Sequence, residues 1–396
     1  MNIIYVSVQC SERFIRKNFA GNDYIPGQQA QKFNRLFAEG FAMQDDTNVY
    51  HVTQVPAYKK SIPGLLRTFK KERVNAIEYR YLPVLNIRKM QDVLNVVTSF
   101  FVTFFLCVSL KPSFVIMDVL AAPASIGAVR ASKLFKRTCI GIVTDVPDIL
   151  FKPGKDRFYH HYSNKVIEIC DGYVLLTKQM SDIMNPRNKP YIVVEGMVDI
   201  RQKYDREESP WDDSKKKILL YTGTIHKQYG IKNLVEGFIE ADLPDVELHI
   251  YGDGDYREEL QEICKKNKGV KYYGTILNDE ITEKQREAFL LINPRSDEGE
   301  YTKYSFPSKN MEYMASGRPV LLKMLPGMPG EYMEYVFELK TADREDICLS
   351  IKNILKKSVT ELDKKGNSAR SFVLQEKNNK RQTQKTQLWI ERGEFG

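Results

Sequence analysis

The feature that most constrains the fold is an alternation of strand-like and helix-like stretches. It runs through the first half of the chain, stops at a polar segment, and then runs again. Residues 2–8 are apolar and β-branched, as a strand buried on both faces of a parallel sheet must be. Residues 28–41 carry Phe33, Leu36, Phe37 and Phe41 at spacings near three and four, which places them on one helical face. Further strands are predicted at 48–52, 114–118, 139–144, 172–176 and 191–194, with helices at 123–133 and 159–169. Beyond the polar run 201–217, strands are predicted at 218–221, 246–251, 270–273, 288–293 and 319–323, with helices at 230–240, 256–266 and 308–316.

Such βαβ alternation builds doubly wound sheets, and 396 residues suffice for two of them. The expected division is a first domain over 1–200, a linker over 201–217 and a second domain over 218–373. A polar tail over 374–396 follows, read as a helix anchored by Leu374, Leu388 and Trp389 that can pack back on the first domain.

Composition narrows the class. The chain is 42% hydrophobic and 28% charged, which suits a globular protein and not a disordered one. Its 59 Lys and Arg against 51 Asp and Glu give a net charge of +8, which favours anionic partners. There is no dense basic stripe with interleaved aromatics, so nucleic acid is not the expected partner. Six cysteines at 10, 107, 139, 170, 264 and 348 form no close pair and read as buried thiols in a reducing compartment. The start MNIIYVSVQCS has the pattern of a first strand, not of a signal peptide.

Residues 93–110 contain no charged side chain. The stretch sits at the length threshold of a membrane-spanning helix, yet it holds Asn, Ser and Thr and runs directly into a strand. The favoured reading is a mostly buried crossover helix. Membrane contact through one face is the second reading and a true span the third.

Three segments carry chemistry. In YTGTIHKQYGIKNLVEGF (221–238), Gly223 ends a strand and Gly230 opens an amphipathic helix, with His226 and Lys227 in the loop between them. Helix N-termini beyond the carboxyl ends of strands favour phosphate, and Lys227 could meet a diphosphate there; the bland alternative is two turn glycines and a solvated lysine. In LHIYGDGD (248–255), Gly252 and Gly254 allow a close approach of backbone or a sharp exit from the strand. In NPRSDEGEYTKYSFPSKNMEYMASGRPVLL (293–322), a strand end with Arg295 precedes a polar loop and a helix opening near Phe306, Pro307, Ser308 and Lys309. Amides there can bind phosphate oxygens, and the Glu312 carboxylate can accept two hydroxyl hydrogen bonds from a ribose. Glu312 paired with Lys309 on a solvated helix is the plain alternative.

The order TGT…YGIKNLVEGF, then YGDG, then FPSKNMEYMASGRPVL, resembles the donor-binding half of the retaining family 4 glycosyltransferases, and among them the branch that makes bacterial capsular and exopolysaccharides. The likeness is specific over about 218–325. It continues more weakly through PGQQAQKF, GIVTDVPDIL, LLTKQM and VVEGMVD.

The resemblance implies the GT-B fold, two Rossmann-like domains facing a central cleft. It implies that Glu312 holds the ribose and that the amides around Ser308 and Lys309 lie near the diphosphate. Gly223 and its loop would frame phosphate and sugar, with Thr224 where relatives carry an arginine and Tyr229 where they carry a lysine. Tyr304, followed by Ser305, stands where the family has a glutamate eight residues before the ribose-binding one. Lys227, Arg295, Lys303 and Lys309 are the available cations.

The resemblance also places Asp145, in the turn TDVPD, near the acceptor, as a residue that orients or deprotonates a hydroxyl; an aspartate tying down a proline turn is the alternative. Pro26, Gly27 and Gln28 would form an acceptor loop.

The expected reaction moves a hexosyl or related group from a nucleoside diphosphate sugar, a UDP-sugar before a GDP-sugar, to an acceptor hydroxyl with retention. Asp145, Lys227 and Lys309 are its candidate catalytic residues. No cofactor or metal is expected; His160 and His161 are adjacent and lack partners at ligand spacing. His249 lies inside a strand and reads as structural. The expected acceptor is a polyprenyl-linked glycan, met in the cytoplasm at the inner face of an anionic membrane. The competing readings are an epimerase or phosphorylase using the same cleft, and a non-catalytic nucleotide-sugar-binding subunit.

Overall fold

The computed structural model describes all residues except 20–27, 57–61, 152–155, 203–215, 277 and 394–396. Most of the 201–217 linker, and Pro26 and Gly27 of the acceptor loop, lie outside the described residues, as does the side chain of Gln28. The chain divides into two compact units, Met1–Met197 with Asn379–Gly396, and Val198–Asn378.

The first unit runs β1 (Asn2–Ser7), α1 (Glu12–Phe19), α2 (Gln28–Ala42), β2 (Asn48–Thr53), β3 (Leu66–Arg67), β4 (Glu72–Val74), β5 (Ile77–Tyr81), β6 (Val84–Leu85) and α3 (Arg88–Leu110). It continues through β7 (Phe114–Asp118), α4 (Ala122–Leu134), β8 (Thr138–Val143), α5 (Pro147–Leu150), α6 (Arg157–Ile169), β9 (Gly172–Leu175), α7 (Met180–Met184) and β10 (Tyr191–Val193). Its main sheet has the order β10-β9-β8-β7-β1-β2-β5-β4, parallel except for β4, while β3 and β6 form a separate antiparallel pair. β1 is buried along Ile3 to Val6, the pattern of a strand covered on both faces. Leu36, Phe37 and Phe41 of α2 are buried with it, in line with their helical spacing. β4 and β5 were not legible in sequence: β5 alternates buried and half-buried residues, IEYRY, and β4 is an edge strand of three residues.

Helix α3 departs from the mostly buried crossover expected of 93–110. Only 28% of its apolar stretch is buried. Asn95, Ser99 and Thr103 face inward, whereas Met90, Val93, Val97, Phe101, Phe105 and Val108 are exposed. The reason lies in α4, whose small residues let the two helices touch backbone to backbone. A Cβ on Gly127 would come within 2.1 Å of the Ser99 hydroxyl and 2.2 Å of the Val96 carbonyl. A seam that close admits small side chains and turns the bulky ones outward.

The second unit runs β11 (Lys217–Thr222), α8 (Ile231–Ala241), β12 (Val246–Tyr251), α9 (Arg257–Lys266), β13 (Val270–Gly274), α10 (Asn278–Glu287), β14 (Leu290–Asn293), α11 (Lys309–Ala315), β15 (Val320–Lys323), β16 (Phe337–Leu339), α12 (Arg344–Leu355) and α13 (Val359–Glu376). Its sheet is wholly parallel in the order β13-β12-β11-β14-β15-β16. The chain builds outward from β11 to β13 and then returns to β14, so the strand order reverses between β11 and β14. That reversal is the doubly wound switch point, where ligands sit beyond the strand carboxyl ends.

The tail is two helices rather than one. α13 stops at Glu376 because the carbonyl of Lys377 accepts from the Val198 amide at 3.0 Å and Asn378 bridges to Val198. The last helix, α14 (Asn379–Glu391), belongs to the first unit. There Ile390 joins the core, and Gln44 Nε2 donates to the Lys380 carbonyl at 3.0 Å. All six cysteines are free thiols, and all but Cys264 are buried.

Candidate functional site

The loops after β11, β12 and β14 converge at the switch point of the second unit. Gly223 follows β11 with φ of 130°, and Gly252 follows β12 with φ of 142°. A Cβ on Gly252 would lie 1.7 Å from the Gly223 carbonyl, so the two loops are in backbone contact. Hydrogen bonds from Gly223 N to Tyr251 O (2.9 Å) and from Ile225 N to Asp253 O (3.0 Å) lock them together. Gly252 and Gly254 thus serve loop packing first, since a Cβ on Gly254 would strike the Ile225 backbone.

Helix α11 is fixed against these loops by buried polar groups. Tyr313 Oη accepts from the Thr222 amide at 2.8 Å, and Asn293 Nδ2 donates to Asn310 Oδ1 at 2.7 Å. Both join α11 to the carboxyl ends of the two strands that flank the reversal. The amides of Asn310 and Met311 are engaged by the carbonyls of Pro307 and Ser308, so the helix opens with tight turns. Ser308 is exposed, Pro307 is buried, and Phe306 is buried beside the Tyr332 ring at 5.2 Å. Tyr304 closes the short 3-10 turn Glu300–Tyr304, and Ser305 follows it in extended backbone.

Two cations meet here. Lys309 Nζ donates to Tyr221 Oη at 2.9 Å and lies 4.1 Å from the centre of that ring. It also covers Gly223, where a Cβ would approach Nζ to 2.6 Å, so the glycine is what lets the lysine reach this position. Burial first and Arg295 second push the Lys309 ammonium down to about 7, against the opposing effect of Glu312. Arg295 is held between the rings of Tyr229 (4.7 Å) and Tyr301 (5.4 Å), and its Nε has no hydrogen-bond partner. Two basic groups near enough for Arg295 to lower the Lys309 ammonium form a site that an anion would complete.

The other predicted residues fall around this centre. Thr224 lends its carbonyl to Tyr221 Oη at 2.6 Å. His226 Nδ1 faces Asp255, accepting from its amide at 3.3 Å. Lys227 does not join the cationic pair: it is exposed, ion-paired with Glu259 at 2.6 Å, and its amide donates to Asp255 Oδ1. An exposed lysine finds the nearest carboxylate, and α9 supplies one. Tyr221 and Tyr301 were missed in sequence, and Tyr229 was noted only as standing where relatives carry a lysine. Their role depends on where rings from separate segments meet, and composition carries no signal of that.

In the first unit the strand order reverses between β1 and β7. Asp118, at the end of β7, is buried and accepts from Asn34 Nδ2 at 2.9 Å, and Asn34 in turn accepts from Tyr5 Oη at 2.8 Å. Burial raises the Asp118 carboxyl to about 6. Gln9 is buried next to the end of β1 with no partner for Oε1. Asp145 is exposed after β8. His160 Nε2 lies 2.5 Å from Asp148, and among the described residues no group of three or more His, Cys, Asp or Glu could hold a metal ion.

Two doubly wound units in one chain are the architecture of the GT-B fold, and the second carries basic side chains and a carboxylate at its switch point. Residues 216–357 match the family of glycosyl transferases group 1. A 170-residue stretch is 24% identical to the GtfA subunit of UDP-N-acetylglucosamine–peptide N-acetylglucosaminyltransferase from Streptococcus agalactiae, covering 41% of this chain and 32% of that protein. The match therefore spans about a third of that relative's length. Sucrose-phosphate synthase from Thermosynechococcus elongatus superposes with a TM-score of 0.67 at 15% identity, over 99% of this chain and 98% of that one. Anabaena HepE in complex with UDP gives 0.67 at 13% identity, over 99% and 100%. The lipopolysaccharide outer core galactosyltransferase WaaB gives 0.61 at 15%, over 99% and 100%.

Proposed function

We propose that the protein is a retaining glycosyltransferase of family 4 that moves a sugar from a nucleoside diphosphate sugar, a UDP-sugar before a GDP-sugar, to an acceptor hydroxyl. The observation that carries the reading is the pair Arg295 and Lys309 held together at the β11/β14 reversal, with Glu312 one turn further along α11. A diphosphate supplies the charge this pair lacks. Glu312 offers the acceptor atoms a ribose needs, and Tyr304 and Ser305 are available to the sugar. The UDP carried by HepE supports the choice of base.

Catalysis by this arrangement is positioning plus neutralisation of the departing diphosphate by Arg295 and Lys309. Lys227 is assigned to framing the loop through Glu259, with His226 beside Asp255. No metal or other cofactor is part of this proposal. The first unit is the acceptor domain, with Asp145 orienting the hydroxyl and the 26–28 loop alongside. We assign the acceptor to a polyprenyl-linked glycan in capsule or exopolysaccharide assembly, handled on the cytoplasmic side of an anionic membrane.

A second reading, a non-catalytic nucleotide-sugar-binding subunit, is favoured by Tyr304 in the place of a glutamate. Incubating the protein with UDP-, GDP-, ADP- and TDP-sugars and a membrane lipid extract, while following diphosphate release and the mass of glycosylated lipid, decides between them. Product from one donor, abolished by Glu312→Ala, supports the transferase. Donor binding without product from any acceptor supports the subunit, and no donor binding sinks both.

A further inference from the structure

Helix α3 is inside out for a surface helix of a water-soluble domain. Its polar residues Asn95, Ser99 and Thr103 are buried against the unit, and its large apolar side chains face outward, Phe101 53% and Phe105 61% exposed. At 100° per residue the exposed positions 90, 93, 97, 101, 105 and 108 stay within a sector of about 120°. The stripe runs most of a helix of 23 residues, about 34 Å long. Scattered apolar residues on a surface need no explanation, but a continuous stripe of this size does.

The stripe continues onto the β3–β6 pair. β6 leads into α3, and the Asn86 amide donates to the Leu65 carbonyl at 2.9 Å, which ties the exposed Leu65 and Leu66 to the start of the helix. Cations follow directly. Arg67 lies on β3, Lys70 and Lys71 in the irregular segment that follows, Arg73 on β4, and Lys111 caps the far end of α3; all are exposed. Lys71 is paired with Glu78 at 3.3 Å, and within 93–110 there is no acidic residue beside the others.

We propose that this face of the first unit docks on an anionic lipid bilayer, with α3 lying in the plane of the interface and its stripe in the acyl boundary. Apolar burial and basic attraction together are what peripheral binding of this kind requires. α3 cannot span, because its other face is closed by α4 with Gly127 in backbone contact. Charge selects lipid over a second copy of the chain: a two-fold pairing through this face would bring the same cations together. The proposal deepens the lipid-linked acceptor reading and rests on it for its purpose, although docking itself needs no donor.

The test is flotation of the full chain with vesicles of phosphatidylglycerol and phosphatidylcholine, against vesicles of phosphatidylcholine alone. Binding to the anionic vesicles, reduced at least about tenfold in a Val97→Ser, Phe101→Ser, Phe105→Ser variant, supports the proposal. The variant must keep the wild-type circular dichroism melt and UDP-sugar affinity, because the changed side chains are exposed; a second variant, Lys70→Glu with Arg67→Glu, should weaken flotation through charge alone. A wild-type chain that floats with neither vesicle overturns the proposal, as does a wild-type dimer that the serine variant converts to a non-floating monomer. Donor binding measured on the same preparations separates the two readings. Flotation without donor binding sinks the transferase and leaves docking standing; turnover of a soluble acceptor without flotation does the reverse.

Discussion

Lys309 is held at about 7 by burial next to Arg295, against an ordinary value of 10.5. Between those values the unfolded chain binds the proton that the folded chain has released, so this group makes stability rise with pH across that window. Binding a diphosphate reverses the preference and returns the proton. We therefore expect affinity for a UDP-sugar to fall by about tenfold per unit as pH rises above about 7, with calorimetry in buffers of different ionisation enthalpy showing uptake of one proton. Lys309→Met should abolish that dependence and weaken binding, while leaving the melting temperature of the free protein unchanged or raised, since Tyr221 keeps its bond to Thr224. Glu312→Ala should cost about 10- to 100-fold in donor affinity, the worth of one or two charged hydrogen bonds. A 2′-deoxy donor should bind the wild type more weakly and lose that penalty in the variant. Gly223, Arg295, Lys309 and Glu312 could be singled out in sequence as candidates because each residue type has few reasons to sit where it does. The tyrosine rings around the cations could not, because a ring's function there is its orientation.

Elements are held at the site by contacts too close for any other residue. Gly252→Ala would place a methyl inside the Gly223 carbonyl at a φ that L residues rarely adopt. We expect a loss of about 2–4 kcal/mol in chemical denaturation, together with weaker donor binding, because the loops after β11 and β12 can no longer lock. The βαβ rhythm made the central strands readable, since strands buried on both faces are uniformly apolar. The edge strand β4 and the short β3–β6 pair escaped because edges carry little pattern. The 93–110 segment was readable as a helix but not as to which way it faces. Its sequence carries no charge on any face, and only the small residues of α4 decide that the side with Asn95, Ser99 and Thr103 is the closed one.

At the scale of the whole molecule, the C-terminus returns to the unit that began the chain. Ile390 is buried in the first core, and a Cβ on Gly40 would meet the Asn379 carbonyl at 2.4 Å. Ile390→Ala should destabilise the first unit by about 2–5 kcal/mol. Calorimetry should show a transition that moves down while that of the second unit, which lacks this contact, stays in place. Separate transitions are expected because each unit has its own core.

The sequence alone determined that there are two doubly wound sheets, which glycines end their strands, and that Arg295, Lys309 and Glu312 stand in the segment that follows one of those strands. Those features are local: periodicity, turn chemistry and residue type act over a few positions. Tertiary structure decided that Lys309 meets Arg295 while Lys227 goes to Glu259, that α3 turns its apolar side outward, and that the last helix joins the first unit. Each depends on which surfaces arrive within a few ångströms of one another. Side-chain reach, desolvation and close packing act only at that distance, and no order of residues along the chain fixes it.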